Sequence, residues 1–586
     1  MAHIVQKRFL QIGSELFQSK VNIAKDPTNK TNKKYPVPSI DNTEEQTNKE
    51  KIGFTTEYNA GEHNFFGNEF SDLKDTNLRV LRNKSLTVVD SNNLITTKRE
   101  FQKVPGPSFK FIEVAKEKYP IFKTQLVTSL IHLFNHFQSG PGAGNFYKFN
   151  YLFEKYGDIV GIKGLLNENI LLLRKPQHIN IVLGQLDGRF GQTCLFDSLR
   201  AYVMQNQTVF NLNPLNQYSG YKELMLEEKC FKFVNSTTEY NIDSNELIKR
   251  IEEINQLEDE VSPDFFLELC KWTLSWHQRL LFSPQNISFF EQPHLLSGSY
   301  GAQMFESFVE ASKALRICES SFQLWKFVNT PSWSQLVTSC NNLCGLFIEQ
   351  IMKIETELSK QTNEDVKHNF AELLIISKKL NSDEILFHLL QMTLIEGNAI
   401  AFSTGFLLYH LSKSAQVQTK LHAEIESISK DKYADITTDD IGAMKFLQSC
   451  VKEALRLQLP IPYSILKLDQ NISIKDYLVP KDTFVILAHE NACLCEDNFK
   501  DPHNFFPERW MTTDSVNLIN PFNLQCDFGL CTSIRKSLME QQMCLLTAKI
   551  IRNYWISNNC EGVTSNGRIL AMPTQPFKFK FQLRRN

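Results

Sequence analysis

A polar loop directly before the last long helix holds the residues whose types and spacing best suggest chemistry. Cys526, Phe528, Gly529 and Cys531 lie in this loop, and apolar residues then recur at helical spacing up to Tyr554. Because backbone N–H groups at a helix N-terminus favour negative charge, a cysteine placed there readily becomes a thiolate. Thiolate ligation of a haem iron needs such a placement. Cys531 is one of 13 cysteines, so chance is the simpler explanation until other motifs are considered.

Composition narrows the class of protein and of partner. A chain of 586 residues can bury a large core, as one big domain or as several smaller ones. Its 42% hydrophobic and 22% charged residues are typical of globular proteins, and 44 Phe residues suit a large apolar interior or pocket. With 63 basic and 65 acidic residues the net charge is −2, which argues against nucleic acid as a partner. The scattered cysteines form no C-x-x-C pair and indicate free thiols in a reducing compartment.

The N-terminal hundred residues differ in composition from the rest. Residues 1–20 mix basic and apolar residues with a single acid, a pattern typical of a mitochondrial presequence, with an ordinary terminal helix as the alternative. Residues 21–100 are rich in Asn, Lys, Thr, Asp and Glu and are predicted to be largely disordered. The folded domain is predicted over 101–586, where a stiff turn at Val104–Pro107 opens it. Since no run of 18 apolar residues occurs, no transmembrane helix is expected.

Hydrophobic periodicity predicts a mainly α fold with small β-sheets. A helix is predicted to end at Gly157, with two short strands following at 158–162 and 169–173. A long helix over 384–411 is predicted to be interrupted only at Gly397 and Gly405. The other clear segments are the helices 306–315, 340–358 and 417–428 and the strands 472–478 and 483–488.

A pair of charged residues on a predicted helix has a further candidate partner about fifty residues later in the sequence. Glu453 and Arg456 are three residues apart on a predicted helix, so the carboxylate and the guanidinium share one face. Such a pair is usually a surface contact worth roughly a few tenths of a kcal/mol. Arg509, in the irregular segment Phe499–Trp510, offers a second guanidinium to the same carboxylate.

The order of these motifs resembles the cytochromes P450. E-x-x-R at Glu453–Arg456, P-E-R-W at Pro507–Trp510 and a Phe-Gly loop with a cysteine before the last long helix follow one another as in that family. The resemblance runs from about Val104 to the C-terminus. It implies the cytochrome P450 fold, bound haem, and a structural triad of Glu453, Arg456 and Arg509. The implied activity is that of a monooxygenase, which inserts one oxygen atom into a lipophilic substrate.

Further segments resemble the mitochondrial clan of animal cytochromes P450. They are Leu324–Trp333 before the central helix, Thr547–Tyr554 in the last helix and Pro576–Lys580 in the last strand. Ala401–Thr404 on the central helix resembles insect ecdysteroid hydroxylases, which implies a steroid-like substrate. The clan resemblance implies a ferredoxin electron donor with its NADPH-dependent reductase. It also implies the matrix side of the mitochondrial inner membrane, with peripheral membrane contact.

The cysteine loop departs from the family pattern F-x-x-G-x-R-x-C-x-G, in which Cys is the axial ligand of the haem iron. Aligning Phe528 and Gly529 with the start of the pattern places Arg535 at the ligand position, and aligning the following helix places Ser533 there. Neither side chain can form a thiolate. Cys531 fits if the loop is about four residues shorter. We therefore predict Cys531 as the metal ligand, with Phe528 and Gly529 beside the haem.

Other haem contacts of the family are also missing from the sequence. The Arg of the loop pattern, which helps to hold a haem propionate, has no clear match, and no Trp-x-x-x-Arg pair occurs near 215–235. Cys526 and Cys544 fit the ligand position less well than Cys531. Relaxed selection, a single coordinated remodelling and a misplaced exon boundary near residue 530 are three explanations of the altered loop.

The proton-relay segment of the central helix is altered as well. The family places an acid followed by Thr in the middle of this helix. Here Asn398 and Ala399 occupy the two positions, or Ala399 and Ile400 after a slip of one residue. Asn cannot exchange a proton as a carboxylic acid does, and Ala has no hydroxyl. Glu396 or Ser403 could substitute from a displaced position on the helix.

Two functions follow from these matches and departures. The first is a haem-thiolate monooxygenase, with Cys531 on the iron and with Gly397 and Asn398 over the distal face of the haem. Gly397 is predicted to leave room there for a ligand. The second is a degenerate member of the same fold that binds an apolar ligand or a partner, with weakly held haem or none.

Overall fold

The chain is described here by a computed structural model, and several predictions fall outside the described residues. These are the presequence 1–20, the polar segment up to residue 98, and the cysteine loop with its predicted haem contacts, 526–531. The described residues are 99–106, 147–165, 168–185, 196–206, 240–256, 264–282, 289–290, 298–320, 323–360, 369–429, 431, 434–511, 532–558, 562–566 and 570–584.

Helices make up most of the described residues, which confirms the mainly α prediction. Each predicted helical segment lies within an observed helix, and the observed helices extend further at one or both ends. The helices are α1 (Tyr147–Tyr156), α2 (Pro176–Gln185), α3 (Asp197–Gln205), α4 (Tyr240–Gln256), α5 (Phe265–Phe282), α6 (Tyr300–Ser320), α7 (Pro331–Leu358), α8 (Phe370–Ser377), α9 (Ser382–Gln391), α10 (Gly397–Lys413), α11 (Ala415–Ile428), α12 (Thr438–Ala443), α13 (Lys445–Leu457), α14 (His489–Cys493) and α15 (Thr532–Asn553).

A π-helical turn, Met392–Glu396, joins α9 and α10 into one continuous helix, Ser382–Lys413, called the central helix below. The predicted interruptions at Gly397 and Gly405 are wrong, because the helix continues through both and its irregular turn comes earlier. A Cβ atom on Gly405 would lie 2.5 Å from Cε2 of Phe577, so glycine is needed there for close packing. The central helix is long and apolar enough to cross a membrane, yet 89% of its most apolar window is buried inside the fold.

A capping box fixes where the central helix begins. The side chain of Asn381 accepts a hydrogen bond from the N–H of Glu384 at 2.8 Å, and the Glu384 carboxylate accepts one from the N–H of Asn381 at 2.9 Å. These two bonds satisfy backbone donors that the first helical turn would leave without partners. The residue at which the helix starts is therefore set locally.

Strands in the described part of the chain are short, as predicted. They are β1 (Arg99–Glu100), β2 (Ile159–Leu165), β3 (Glu168–Leu173), β4 (Ser464–Lys467), β5 (Ile472–Ile474), β6 (Tyr477–Val479), β7 (Phe484–Leu487), β8 (Tyr554–Asn558), β9 (Ser565–Asn566), β10 (Met572–Pro573) and β11 (Phe579–Leu583).

These strands form four small sheets. The largest has the order β2-β3-β7-β4, in which the two predicted strands β2 and β3 pair antiparallel and β3 runs parallel to β7. The others are β1-β6-β5, β8 with β11, and β9 with β10. Because β3 and β7 are separated by most of the helical body, their pairing ties the N-terminal and C-terminal parts of the domain together.

Two strand predictions need correction. Residues 472–478 were predicted as one strand, but they form the strands β5 and β6, which pair antiparallel around Lys475 at a φ of 52°. Apolar residues continue on both sides of this turn, so periodicity alone gives no sign of the reversal. Arg99 and Glu100 were assigned to the disordered segment, but they form β1 alongside β6.

The main apolar core surrounds the central helix and α15. Phe402 and Phe406 of α10 and Leu546 and Ile550 of α15 belong to one buried cluster. The amphipathic pattern of α15 predicted this burial, since its apolar residues recur on one face. Two smaller clusters pack around the sheets.

Candidate functional site

The predicted contact between Glu453 and Arg456 is present on α13. The Nη2 atom of Arg456 lies 2.8 Å from Oε1 of Glu453, and its Nε atom lies 3.0 Å from Oε2. Both side chains are 0% exposed, unlike the surface pair that this spacing alone would suggest. Burying two charges is unfavourable unless their polar atoms find partners, so the neighbouring segment decides whether this pair is tolerated.

The irregular segment around Arg509 supplies those partners to Glu453. The Nε atom of Arg509 lies 3.0 Å from Oε1 of Glu453, and the N–H of Phe506 donates to the same oxygen at 3.1 Å. The indole N–H of Trp510 donates to Oε2 at 2.8 Å. The structure therefore brings the three predicted residues together and adds Trp510, the last residue of the P-E-R-W motif.

Arg456 holds the same segment through its backbone carbonyls. Its Nη1 atom donates to the carbonyl oxygens of Cys493 at 2.9 Å and Pro502 at 2.6 Å, and its Nη2 atom donates to that of Asn504 at 3.2 Å. Its guanidinium also lies 4.9 Å from the ring centre of Phe499. These contacts fix the irregular chain after α14 against α13, so the triad positions backbone rather than performing chemistry itself.

Asn398, at the predicted acid position, faces α6. Its Nδ2 atom donates to Oγ of Ser312 at 2.7 Å and to the carbonyl oxygen of Leu394 at 2.6 Å. Ser312 in turn donates to the carbonyl oxygen of Phe308 at 2.6 Å. The amide thus holds α6 against the central helix and has no proton to exchange. The sequence carried no signal for Ser312, which lies on another helix.

Gly397 also lies where α5, α6 and the central helix meet. A Cβ atom on Gly397 would lie 3.3 Å from Cε2 of Phe308 and 3.5 Å from Nδ1 of His277. The space left by the missing side chain is occupied by protein, so in this structure Gly397 permits close packing of three helices. Its predicted role of leaving room for a ligand beside the haem stays a prediction.

Glu396 and Ala399 share a different face of the central helix, since they are three residues apart. Ala399 is buried and Glu396 is half-buried, and Glu396 ends the π-helical turn Met392–Glu396. Turns of this kind occur frequently at functional sites. Ser403, the other substitute considered, is fully buried one turn further along. Glu396 is therefore the ionisable group on the face that carries Ala399.

Seven of the described cysteines have thiols whose pKa is raised by burial, which disfavours the thiolate form when no metal is bound. Burial disfavours the charged form and raises the pKa of Cys344 and Cys493 to about 12. It raises the pKa of Cys544, a weaker alternative ligand, well above its ordinary value of 9.0. The seven residues are Cys270, Cys318, Cys340, Cys344, Cys450, Cys493 and Cys544.

The fit of these residues to a haem is therefore partial. The described residues include the structural triad. The seven buried cysteines do not favour a thiolate, and the predicted relay position carries no acid. The helix α15 begins at Thr532, the residue after Cys531, as the sequence predicts for a ligand at a helix N-terminus. The assignments of Cys531, Phe528 and Gly529 stay predictions, since these residues lie outside the described part of the chain.

Comparisons with known proteins place this architecture in a family. A sequence model of the family described as Cytochrome P450 matches residues 125–529. Cytochrome P450 302a1, mitochondrial, of Drosophila melanogaster is 23% identical over 526 residues, which cover 86% of this chain and 99% of that protein. Probable cytochrome P450 12a5, mitochondrial, of the same organism is 24% identical over 58% of this chain and 65% of its own length.

A vertebrate enzyme is similar as well. The 1,25-dihydroxyvitamin D(3) 24-hydroxylase, mitochondrial, of Rattus norvegicus is 27% identical over 312 residues, 52% of this chain and 58% of that protein. All three relatives carry the word mitochondrial in their names, in agreement with the clan resemblance. The family match covers well over half of the chain and includes the whole buried triad. This chain therefore belongs to the cytochrome P450 family.

Proposed function

We propose that this protein is a haem-thiolate monooxygenase that hydroxylates a steroid-like or similarly lipophilic substrate. The match of the Cytochrome P450 family model to residues 125–529 carries the proposal, and the buried triad of Glu453, Arg456 and Arg509 supports it because such a network keeps the family scaffold in place. The match to one relative over nearly its whole length supports it further. A bound haem would supply oxygen activation, and the residues of this chain would hold and shield it.

The roles of the chain's own residues are proposed from their positions. Cys531 would provide the thiolate, helped by the backbone N–H groups at the start of α15. Phe528 and Gly529 would line the same loop. Glu396 would hold an exchangeable proton on the helix face that carries Ala399. It would replace the acid that the family has at the position assigned to Asn398.

The partners and location follow from the clan. Electrons would come from a ferredoxin-type donor, and the protein would reside at the matrix side of the mitochondrial inner membrane in peripheral contact with it. Relatives named as mitochondrial support the location. The relative named as a vitamin D hydroxylase supports a lipophilic substrate of steroid type.

The absorption spectrum of the purified protein, reduced and exposed to carbon monoxide, tests the proposal. We expect a strongly red-shifted Soret band, because thiolate ligation shifts the band in this way. Cys531→Ser should abolish that band, while Cys495→Ser, at a partly exposed cysteine, should keep it. An unchanged spectrum in the Cys531→Ser protein would overturn the ligand assignment.

A second candidate is a cytochrome P450 fold that binds a lipophilic ligand or a partner without monooxygenase activity. The orientation of Asn398 favours it, because both amide hydrogens are used for helix packing and the adjacent Ala399 has no hydroxyl. In this case the purified protein stays folded, with cooperative unfolding, but shows no thiolate-type Soret band. The same spectrum therefore separates the two candidates.

A further inference from the structure

A cleft of about 210 Å³ opens between α5, α6, α10 and the segment after β10. Its apolar walls include Phe266, Phe308 and Met572, and polar side chains of α6 and the central helix line it as well. The volume is below the roughly 300–1,000 Å³ of pockets for drug-sized ligands, so the cleft suits a short molecule. Two of its polar side chains have groups without a partner among the described residues.

The first is the guanidinium of Arg316 on α6. Arg316 is half-buried and lines the cleft. Burial lowers its pKa, with no opposing effect from a neighbouring carboxylate of the described residues. A guanidinium has five donors in a planar fork that suits a carboxylate. Arg316 therefore provides an anion-binding group at the cleft.

The second is the side-chain oxygen of Asn398. The residue is 1% exposed and lines the same cleft. Its Oδ1 atom has no hydrogen-bond partner among the described residues, although its Nδ2 atom is bonded twice. A buried acceptor without a donor is unfavourable by roughly 1–3 kcal/mol, so a ligand hydroxyl that donates to Oδ1 would be favoured.

Two further charged groups line the cleft, and both have partners. Lys313 is exposed, and its Nζ atom lies 3.2 Å from Oε1 of Glu310. The carboxylate of Asp264 accepts a hydrogen bond from the N–H of Phe266 at 3.1 Å, and burial raises its pKa. Arg316 is therefore the cation of the cleft that has no carboxylate partner among the described residues.

We propose that this cleft binds a small hydroxy acid, with its carboxylate on Arg316, its hydroxyl donating to Asn398 Oδ1, and its aliphatic chain between Phe266 and Phe308. Ser312, which accepts a hydrogen bond from Asn398, lies four residues before Arg316, about 6 Å along the helix axis. An aliphatic chain of a few carbons spans such a separation.

The cleft lies on the α6 side of the central helix. Asn398 points to α6, while Glu396 and Ala399 lie on another face of the central helix. Binding in the cleft can be measured without reference to oxygenase activity. A failure of one proposal leaves the other standing.

Titration calorimetry of the full chain at low ionic strength tests the site with three short compounds. We expect saturable binding of 6-hydroxyhexanoate that weakens with added salt, because the anion is held partly by charge. Hexanoate lacks the hydroxyl, and hexane-1,6-diol lacks the anion. Each should bind at least about tenfold more weakly. No saturable binding of 6-hydroxyhexanoate, or equal affinity for the three compounds, would overturn the proposal.

Variants locate the binding. Arg316→Gln should weaken binding of 6-hydroxyhexanoate at least about tenfold, whereas the same change at exposed Arg99 on β1 should leave it unchanged. An Arg316→Gln protein that is folded by circular dichroism and binds as the native protein does would contradict the assignment. If that variant fails to fold, the three-compound comparison on the native chain still decides.

Discussion

The triad and the predicted relay segment of the central helix differ in what their polar side chains contact. At the triad, the carboxylate of Glu453 accepts five hydrogen bonds, from Arg456, Phe506, Arg509 and Trp510. At the predicted relay segment, the amide of Asn398 donates a hydrogen bond to Ser312 on α6. Loss of Arg456 or Arg509 would remove part of the network that stabilises a buried carboxylate, while the amide at position 398 keeps its contact with α6. Scaffold and chemistry are therefore separable in this fold.

The sharpest way to break the comparison is to remove one triad member. Arg456→Ala should destabilise the protein by about 3–5 kcal/mol, because Glu453 would stay buried beside Arg509 without its bidentate partner. Urea unfolding followed by circular dichroism measures this. Lys353→Ala is the control, since the Nζ atom of this exposed lysine lies 2.9 Å from Oε1 of exposed Glu349. It should change stability by less than about 1 kcal/mol. Equal effects of both changes would contradict the role given to the triad.

A second buried carboxylate, Glu319 of α6, has no directly paired cation among the described residues and provides a contrast to Glu453. It accepts hydrogen bonds from Ser198 at 2.7 Å and 2.5 Å, while nearby Lys326 pairs with Asp197 at 2.7 Å. Burial, and then the charge of Asp197, raise its pKa from 4.5 to about 7. Between these values the native state binds more protons than the unfolded chain, so stability should fall as pH rises.

The pH dependence of unfolding tests this difference between the two carboxylates. From about pH 5 to 8 the native protein should lose roughly 1–3 kcal/mol that the Glu319→Gln variant does not lose. Gln can still accept a hydrogen bond from Ser198, so this variant should fold. Exposed Glu349→Gln serves as the control and should follow the native profile. Parallel profiles for native protein and Glu319→Gln would show that Glu319 does not titrate in this range.

The smallest expected effect concerns the glycine beside the relay segment. Gly397→Ala should stabilise the protein by about 1 kcal/mol less than a helical Gly→Ala change in open space, because the new Cβ atom would lie 3.3 Å from Cε2 of Phe308 and that ring would have to shift. Gly345→Ala on α7 is the matched control, since a Cβ atom there meets nothing within 4 Å. It should stabilise the protein by about 0.5–1 kcal/mol through helix propensity. The difference in thermal unfolding temperature between the two variants measures this effect.

Much of the fold could be predicted because its signals are local. The helical period marked α6, α7 and the central helix, and a glycine after an apolar stripe marked the end of α1. The strands β5 and β6 were predicted as one, because a two-residue turn between apolar residues leaves the period unbroken. The π-helical turn was missed for a similar reason. One extra residue in a single turn leaves the apolar pattern of a long buried helix almost unchanged.

The candidate site was less predictable, because its contacts join distant parts of the chain. The residues of the triad were evident from two short motifs, but their complete burial was not. Neither Ser312 beside Asn398 nor the unpaired Arg316 could be inferred from the sequence. Both depend on how α6 lies across the central helix.

By itself, the sequence determined the mainly helical class, the family and the three members of the triad, because periodicity and motif spacing are properties of the chain alone. Only the tertiary structure decided that Glu453 is fully buried, that Asn398 faces α6, and that the space beside Gly397 is filled. The physical reason is that the rotation and packing of one helix against another depend on side chains contributed from elsewhere in the fold. Local pattern fixes which face of a helix is apolar, and tertiary packing fixes what that face meets.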